Sequence, residues 1–154
     1  MFIISYIINI MPIGSEPKPN ILEGIEGLKG KVLLADDEKS VRDLTALLLR
    51  RKGCTVEMVE DGQQLLDKLQ AAKLGEFGLV VTDNMMPKMT GLVALAKIRE
   101  DSRFDKLPVV FSSGTLDSDI KETVEAFGGI PLNKPFSPDE LYEATREAIS
   151  KSTS

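Results

Sequence analysis

The 154-residue chain contains no histidine, no tryptophan and a single cysteine, Cys54. The missing histidines exclude Ser-His-Asp and Cys-His catalysis, a histidine-ligated metal, and any phosphohistidine carried by this chain itself. With one cysteine there is no internal disulfide. Cys54 reads as a small, partly buried packing residue, and so sparing a use of thiols leads us to expect a cytoplasmic location. Positive charge is in the minority: 19 Lys and Arg stand against 24 Asp and Glu, for a formal net charge of −5. A nucleic-acid-binding surface needs a basic footprint to displace counterions, so no nucleic-acid partner is expected. No apolar run reaches the roughly 20 residues needed to cross a bilayer, and no membrane span is expected. The opening MFIISYIINI is apolar but short, and it lacks a positive leader and a small-residue cleavage site. Met11 offers a second plausible start, which would make residues 1–10 a dispensable arm.

What is present suits one domain. Hydrophobic residues make up 42% of the chain, enough for a normal single core. Pro12, Pro17 and Pro19 mark a linker, and Gly24, Gly27 and Gly30 a loose lead-in. Residues 1–29 are therefore expected to be a poorly ordered arm and linker, and residues 30–151 the folded domain. From Lys31 the pattern becomes regular. KVLLA (31–35) is a short apolar run suited to a buried strand. EKSVRDLTALLLRRKG follows with Val41, Leu44, Leu47 and Leu48 at helical spacing, predicting these four as the core face, with Gly53 as the stop. Strands are then predicted at CTVEMV, GLVVT (78–82), LPVVFSS and, weakly, GIPLNK. Helices are predicted at DGQQLLDKLQAAK, LVALAKIRED, DSDIKETVEAFG and SPDELYEATREAISK. The last carries Ser137 as N-cap, Pro138 at the first position and Glu140 three residues on. Five strand–helix units imply parallel strands joined by right-handed crossovers, an α/β open doubly wound sheet with helices on both faces.

Ligands of such sheets sit beyond the carboxyl ends of the strands. The polar residues converge there: Asp36 and Asp37 after the first strand, Asp83 after the third, Ser112 and Ser113 at the end of the fourth, Lys134 after the fifth. Each has a mundane alternative by itself. An acidic pair often caps a helix, a lone Asp often makes a turn, and a Lys before Pro is usually solvated. Their joint arrival at one edge from distant parts of the chain favours a site. Three close carboxylates repel unless a hard cation joins them, and Mg²⁺ prefers such oxygen donors. With Lys134 opposite, the site would suit an incoming phosphoryl group, and a carboxylate nucleophile would form an acyl phosphate.

VLLADDE, VVTDNMMPKMTG, VVFSSG and NKPF together resemble the receiver domain of two-component response regulators, over roughly residues 30–150. The resemblance implies a flavodoxin-like (βα)5 fold with strand order 2-1-3-4-5. It implies that Asp83 is the phosphoacceptor, that Asp36 and Asp37 bind Mg²⁺ with Asp83 and the Met85 backbone carbonyl, and that Ser113 and Lys134 contact the phosphoryl group. Pro135 would follow Lys134 through a cis bond. The implied partners are a histidine kinase or histidine phosphotransfer protein as donor and a downstream protein target, with no enzymatic activity beyond the domain's own phosphoryl transfer and dephosphorylation. Twenty residues follow Lys134, which leads us to expect a stand-alone receiver. The sequence departs from the family at Pro131, where Tyr or Phe usually stands three residues before the lysine, and at Gly114, where Ala is common. Pro131 keeps a pseudo-receiver, a phosphate-independent interaction module, as the alternative. A haloacid-dehalogenase-type phosphatase would need an Asp where Met85 stands. A flavodoxin-like cofactor site would not tolerate the acidic ADDEKS loop.

Overall fold

The computed structural model describes residues 24–153. Five strands, β1 (Lys31–Ala35), β2 (Val56–Val59), β3 (Phe77–Asp83), β4 (Val109–Ser113) and β5 (Ile130–Asn133), form one parallel sheet in the order β2-β1-β3-β4-β5. They alternate with α1 (Lys39–Arg51), α2 (Gly62–Ala71), α3 (Gly91–Glu100), α4 (Ser118–Ala126) and α5 (Pro138–Ser152). This is the doubly wound (βα)5 architecture expected from the sequence.

Side chains alternate across the pleat, so each strand feeds two cores. Val32, Leu34, Val81 and Val110 face α1 and α5, packing on Leu49, Leu141 and Ile149. Leu33, Val80 and Phe111 face α2, α3 and α4, packing on Leu65, Leu95, Ile98 and Val124. Cys54 is buried in the first core, and burial pushes its thiol up, as suits a packing residue. Ile25 and Leu28 also pack into that core, so the last residues of the predicted lead-in belong to the folded unit. The rest of the predicted arm, residues 1–23, lies outside the described residues.

Two predictions are corrected. β3 runs to Asp83, one residue beyond the predicted end, so the carboxylate sits on the strand rather than after it. On α1 the core face is Arg42, Thr45, Ala46, Leu48 and Leu49. Leu44 and Leu47 are 57% and 46% exposed. Apolar residues occur nearly all round this helix, so spacing alone admits several faces. The sheet selects the one carrying small Ala46 and Thr45, which let the helix approach closely.

Local chemistry matches the ends of the elements. Lys52 and Gly53 donate their N–H groups back to Leu49 and Arg50, and Gly53 takes a φ of 79°, closing α1 as expected. Asp61, Thr90, Asp117 and Ser137 cap α2 to α5 through their side chains, and Ser137 forms a full capping box with Glu140. The Lys134–Pro135 bond is cis, as the resemblance implied. Pro131 lies in β5, an edge strand, where a missing N–H costs least.

Candidate functional site

The strand register builds the site. Ala35 lies beside Thr82, Asp83 beside Ser112, and Ser113 beside Asn133. Parallel strands ending in step therefore bring Asp36, Asp83, Ser113 and Lys134 to one edge, although 98 residues separate the first from the last.

Lys134 joins the acids. Its Nζ donates to Asp36 Oδ2 at 2.7 Å and to Asp83 Oδ1 at 3.1 Å. Asp36 and Asp83 are both buried, while Asp37 is exposed at the rim. Burial pushes the Asp83 carboxyl above its ordinary range; Lys134 opposes this and the neighbouring Asp36 charge adds to it. Burial works against the Lys134 charge too, but its bonds to Asp36 and Asp83 outweigh that and hold the ammonium above the usual lysine range. One ammonium thus serves two buried carboxylates, leaving the cluster short of positive charge.

Asp36, Asp37 and Asp83 each offer an oxygen within 4.8 Å of the others. This donor set is all hard oxygen, which fits Mg²⁺ and does not fit a soft metal. Among the described residues this is the one cluster of its kind. The side chain of Met85, expected to act only through its carbonyl, is exposed. Met86 is buried in the second core and Met89 packs against it, as bland packing roles would have it.

Ser113 ends β4 and is buried. Its hydroxyl accepts the Thr115 N–H at 3.1 Å, and its carbonyl accepts the Lys134 N–H at 2.9 Å. The serine is therefore tied to the lysine through the main chain, while its side chain is engaged by the loop that follows. Ser112 instead donates to the Thr82 carbonyl at 3.3 Å, a tie between β4 and β3.

The loop after Asp83 closes on α3. Gly91 donates to the Asn84 carbonyl at 2.8 Å, and the Asn84 side chain accepts the Leu92 N–H at 3.2 Å. A Cβ on Gly91 would fall 2.0 Å from the Asp83 carbonyl, so only glycine allows the helix to start this close to the acid. Three contributors were not singled out from the sequence: Asn84, which follows Asp83 and ties its loop; Arg42, which reaches the Asp36 carbonyl; and Thr115, which holds Ser113. For Arg42 the available signal was its place three, four and seven residues before Thr45, Ala46 and Leu49, but the leucines at 44 and 47 masked it.

Residues 32–146 match the response regulator receiver domain family. The chain belongs to that family. This receiver is 35% identical over 126 residues to the response regulator Rre1 of Synechocystis, covering 78% of this chain and 52% of Rre1. It is 29% identical to the chemotaxis protein CheV3 of Helicobacter pylori, over 82% of this chain and 43% of CheV3. The chain thus spans about half the length of these relatives. Among solved structures, the chemotaxis response regulator CheY4 of Vibrio cholerae superposes with a TM-score of 0.69 at 30% identity, over 78% of this chain and 98% of CheY4. A response regulator receiver domain protein from Clostridium thermocellum gives 0.71 at 25% identity, over 80% of this chain and 97% of that one. The fold and the assignment to two-component signalling expected from the sequence are both borne out. No helix among the described residues is long and apolar enough to cross a membrane.

Proposed function

We propose that this receiver accepts a phosphoryl group on Asp83 from the phosphohistidine of a histidine kinase or a histidine phosphotransfer protein, and that the product binds a downstream protein differently. The observation that carries this reading is Lys134 bridging buried Asp36 and Asp83 at the edge of the sheet, with exposed Asp37 beside them. An Asp83 carboxylate oxygen attacks phosphorus; the P–N bond of the donor breaks, and its electron pair returns to the imidazole nitrogen. The product is an acyl phosphate on Asp83.

Asp36, Asp37, Asp83 and the Met85 carbonyl would hold Mg²⁺, which when bound neutralises charge on the transferred oxygens. Lys134 supplies a fixed positive charge on the other side of Asp83. On phosphorylation the Ser113 hydroxyl would leave Thr115 and turn to donate to a phosphoryl oxygen. That release favours one of two arrangements of the β4–α4 loop, which supports a population shift as the signal. Hydrolysis of the acyl phosphate returns the resting state, so the domain catalyses only its own phosphorylation and dephosphorylation.

Incubation with a small-molecule phosphodonor tests the reading. Intact-mass analysis should find a single added phosphoryl group that needs Mg²⁺ and is absent from Asp83→Asn. Persistence of the label in that variant would overturn the acceptor assignment. A folded, Mg²⁺-binding wild type that never labels would favour the phosphate-independent module, toward which Pro131 leans.

A further inference from the structure

Arg42 sits on the inner face of α1 and is only 7% exposed. A buried guanidinium needs partners for its donors. One nitrogen, Nη1, donates to the Asp36 main-chain carbonyl at 2.6 Å. The other, Nη2, reaches Glu60 Oε1 at 3.3 Å. Glu60 directly follows β2, so the side chain spans from α1 to the ends of β1 and β2.

Asp36 is thereby held at four points. Its N–H donates to the Val59 carbonyl at 3.2 Å, and its carbonyl accepts Arg42. Its Oδ1 accepts the Glu38 N–H at 2.9 Å, and its Oδ2 accepts Lys134 at 2.7 Å. Two of these contacts are local or between neighbouring strand ends, and a third reaches the carboxylate from Lys134, after the far edge strand β5. Arg42 is the one that anchors the peptide between Asp36 and Asp37, the two adjacent acids of the cluster. A turn about the Asp36 Cα–C bond would carry Asp37 and its carboxylate away from the Asp36 carboxylate, and the bond from Arg42 to the Asp36 carbonyl opposes that turn.

We propose that Arg42 is a positioning residue for the acidic site: by pinning the Asp36 carbonyl it fixes the direction in which Asp36 and Asp37 present their oxygens to Mg²⁺. This rests on the receiver reading of the site. The two ways Arg42 can influence a cation have opposite signs. As a nearby positive charge it repels Mg²⁺, so removing the charge alone would tighten binding. As a positioning group it preorganises the ligands, so its loss weakens binding, by about tenfold on the scale of residues that orient metal ligands. The direction of the change therefore separates the two.

The experiment is a Mg²⁺ titration of the full chain, followed by calorimetry and by amide NMR shifts around Asp37, for wild type, Arg42→Met and Arg42→Lys. Unfolding of each in chelator is measured alongside. Saturable binding by wild type establishes the site; its absence would sink the Mg²⁺-dependent phospho-accepting reading and leave Arg42 without a metal to position. Given wild-type binding, Arg42→Met should bind about tenfold more weakly. Arg42→Lys should recover part of the affinity, because one ammonium can reach the carbonyl without also spanning to Glu60. Unchanged or tighter binding by a folded Met variant overturns the proposal, even if that variant is less stable. Should the Met variant not fold, the Lys variant decides: an affinity a few-fold below wild type supports the assignment, and an equal affinity overturns it.

Discussion

Asp61 uses one carboxylate for two purposes. It caps α2 by accepting the Gln64 N–H at 2.8 Å, and it meets Lys88 Nζ at 3.3 Å across the gap to the loop after Asp83. The Gln64 bond first, and the Lys88 ion pair after it, hold the carboxyl below its ordinary range despite the opposing effect of desolvation. Because its folded value is depressed, the stability it adds is complete above the unfolded value near 4 and is lost as pH falls through the lower folded value. The stability difference between wild type and Asp61→Asn should therefore be constant above about pH 5 and should shrink in more acidic buffer. Urea unfolding across pH measures this; a difference that grows on acidification would contradict the sign. Asparagine caps as well as aspartate, so the variant removes the charge and keeps the cap. The same neighbourhood shows why glycine follows: a Cβ on Gly62 would lie 2.5 Å from the Met89 carbonyl.

Helices carry the next set of consequences. Arg99 on α3 donates to the carbonyls of Phe127 at 2.6 Å, Leu107 at 2.8 Å and Phe104 at 2.9 Å. It thereby ties the end of α4 and the approach to β4 onto α3. Burial lowers its tendency to hold the proton, and Asp105 partly offsets this. Truncation would orphan several carbonyls at once, so Arg99→Ala should cost about 3 kcal/mol in urea unfolding. A loss within about 0.5 kcal/mol, the level of an ordinary surface change, would refute this role. On α1 the corrected face makes a paired prediction. Leu44→Ser and Leu47→Ser should change stability by no more than about 0.5 kcal/mol. Leu49→Ala, in the first core, should cost about 3 kcal/mol. Larger losses at Leu44 and Leu47 than at Leu49 would restore the face read from spacing.

At the scale of the whole molecule, the sheet is a ruler that ends its strands in step, and the site is what that shared end exposes. A ligand joining β1 to β3 through Asp36, Asp37 and Asp83 clamps two central strands, so Mg²⁺ should stabilise the entire fold. At about 100 times its dissociation constant the gain is about 2.7 kcal/mol. Asp37 is exposed, so Asp37→Asn should leave the melting temperature in chelator nearly unchanged while reducing the Mg²⁺-induced rise. Thermal melts with and without the ion test this, and an undiminished rise would remove Asp37 from the ligand set.

The order of elements was legible because it rests on local rules: short apolar runs bounded by Gly and Asp, amphipathic spacing, and cap residues such as Ser137 with Glu140. Asp36, Asp83 and Lys134 were legible for a related reason. Each lies at the carboxyl end of a readable strand, and parallel order then places all of them at one edge. Neither rule reaches a contact chosen by packing. The face that α1 turns inward is set by how closely the sheet can approach Ala46 and Thr45, and leucines on the other side leave its pattern ambiguous. The same rotation of α1 directs Arg42 at the Asp36 carbonyl, and the geometry of the β4–α4 loop gives Ser113 to Thr115. Local sequence, acting through backbone and burial preferences, determined which groups arrive at the edge. Only the close packing of helices on the sheet decided which side chains hold those groups in place.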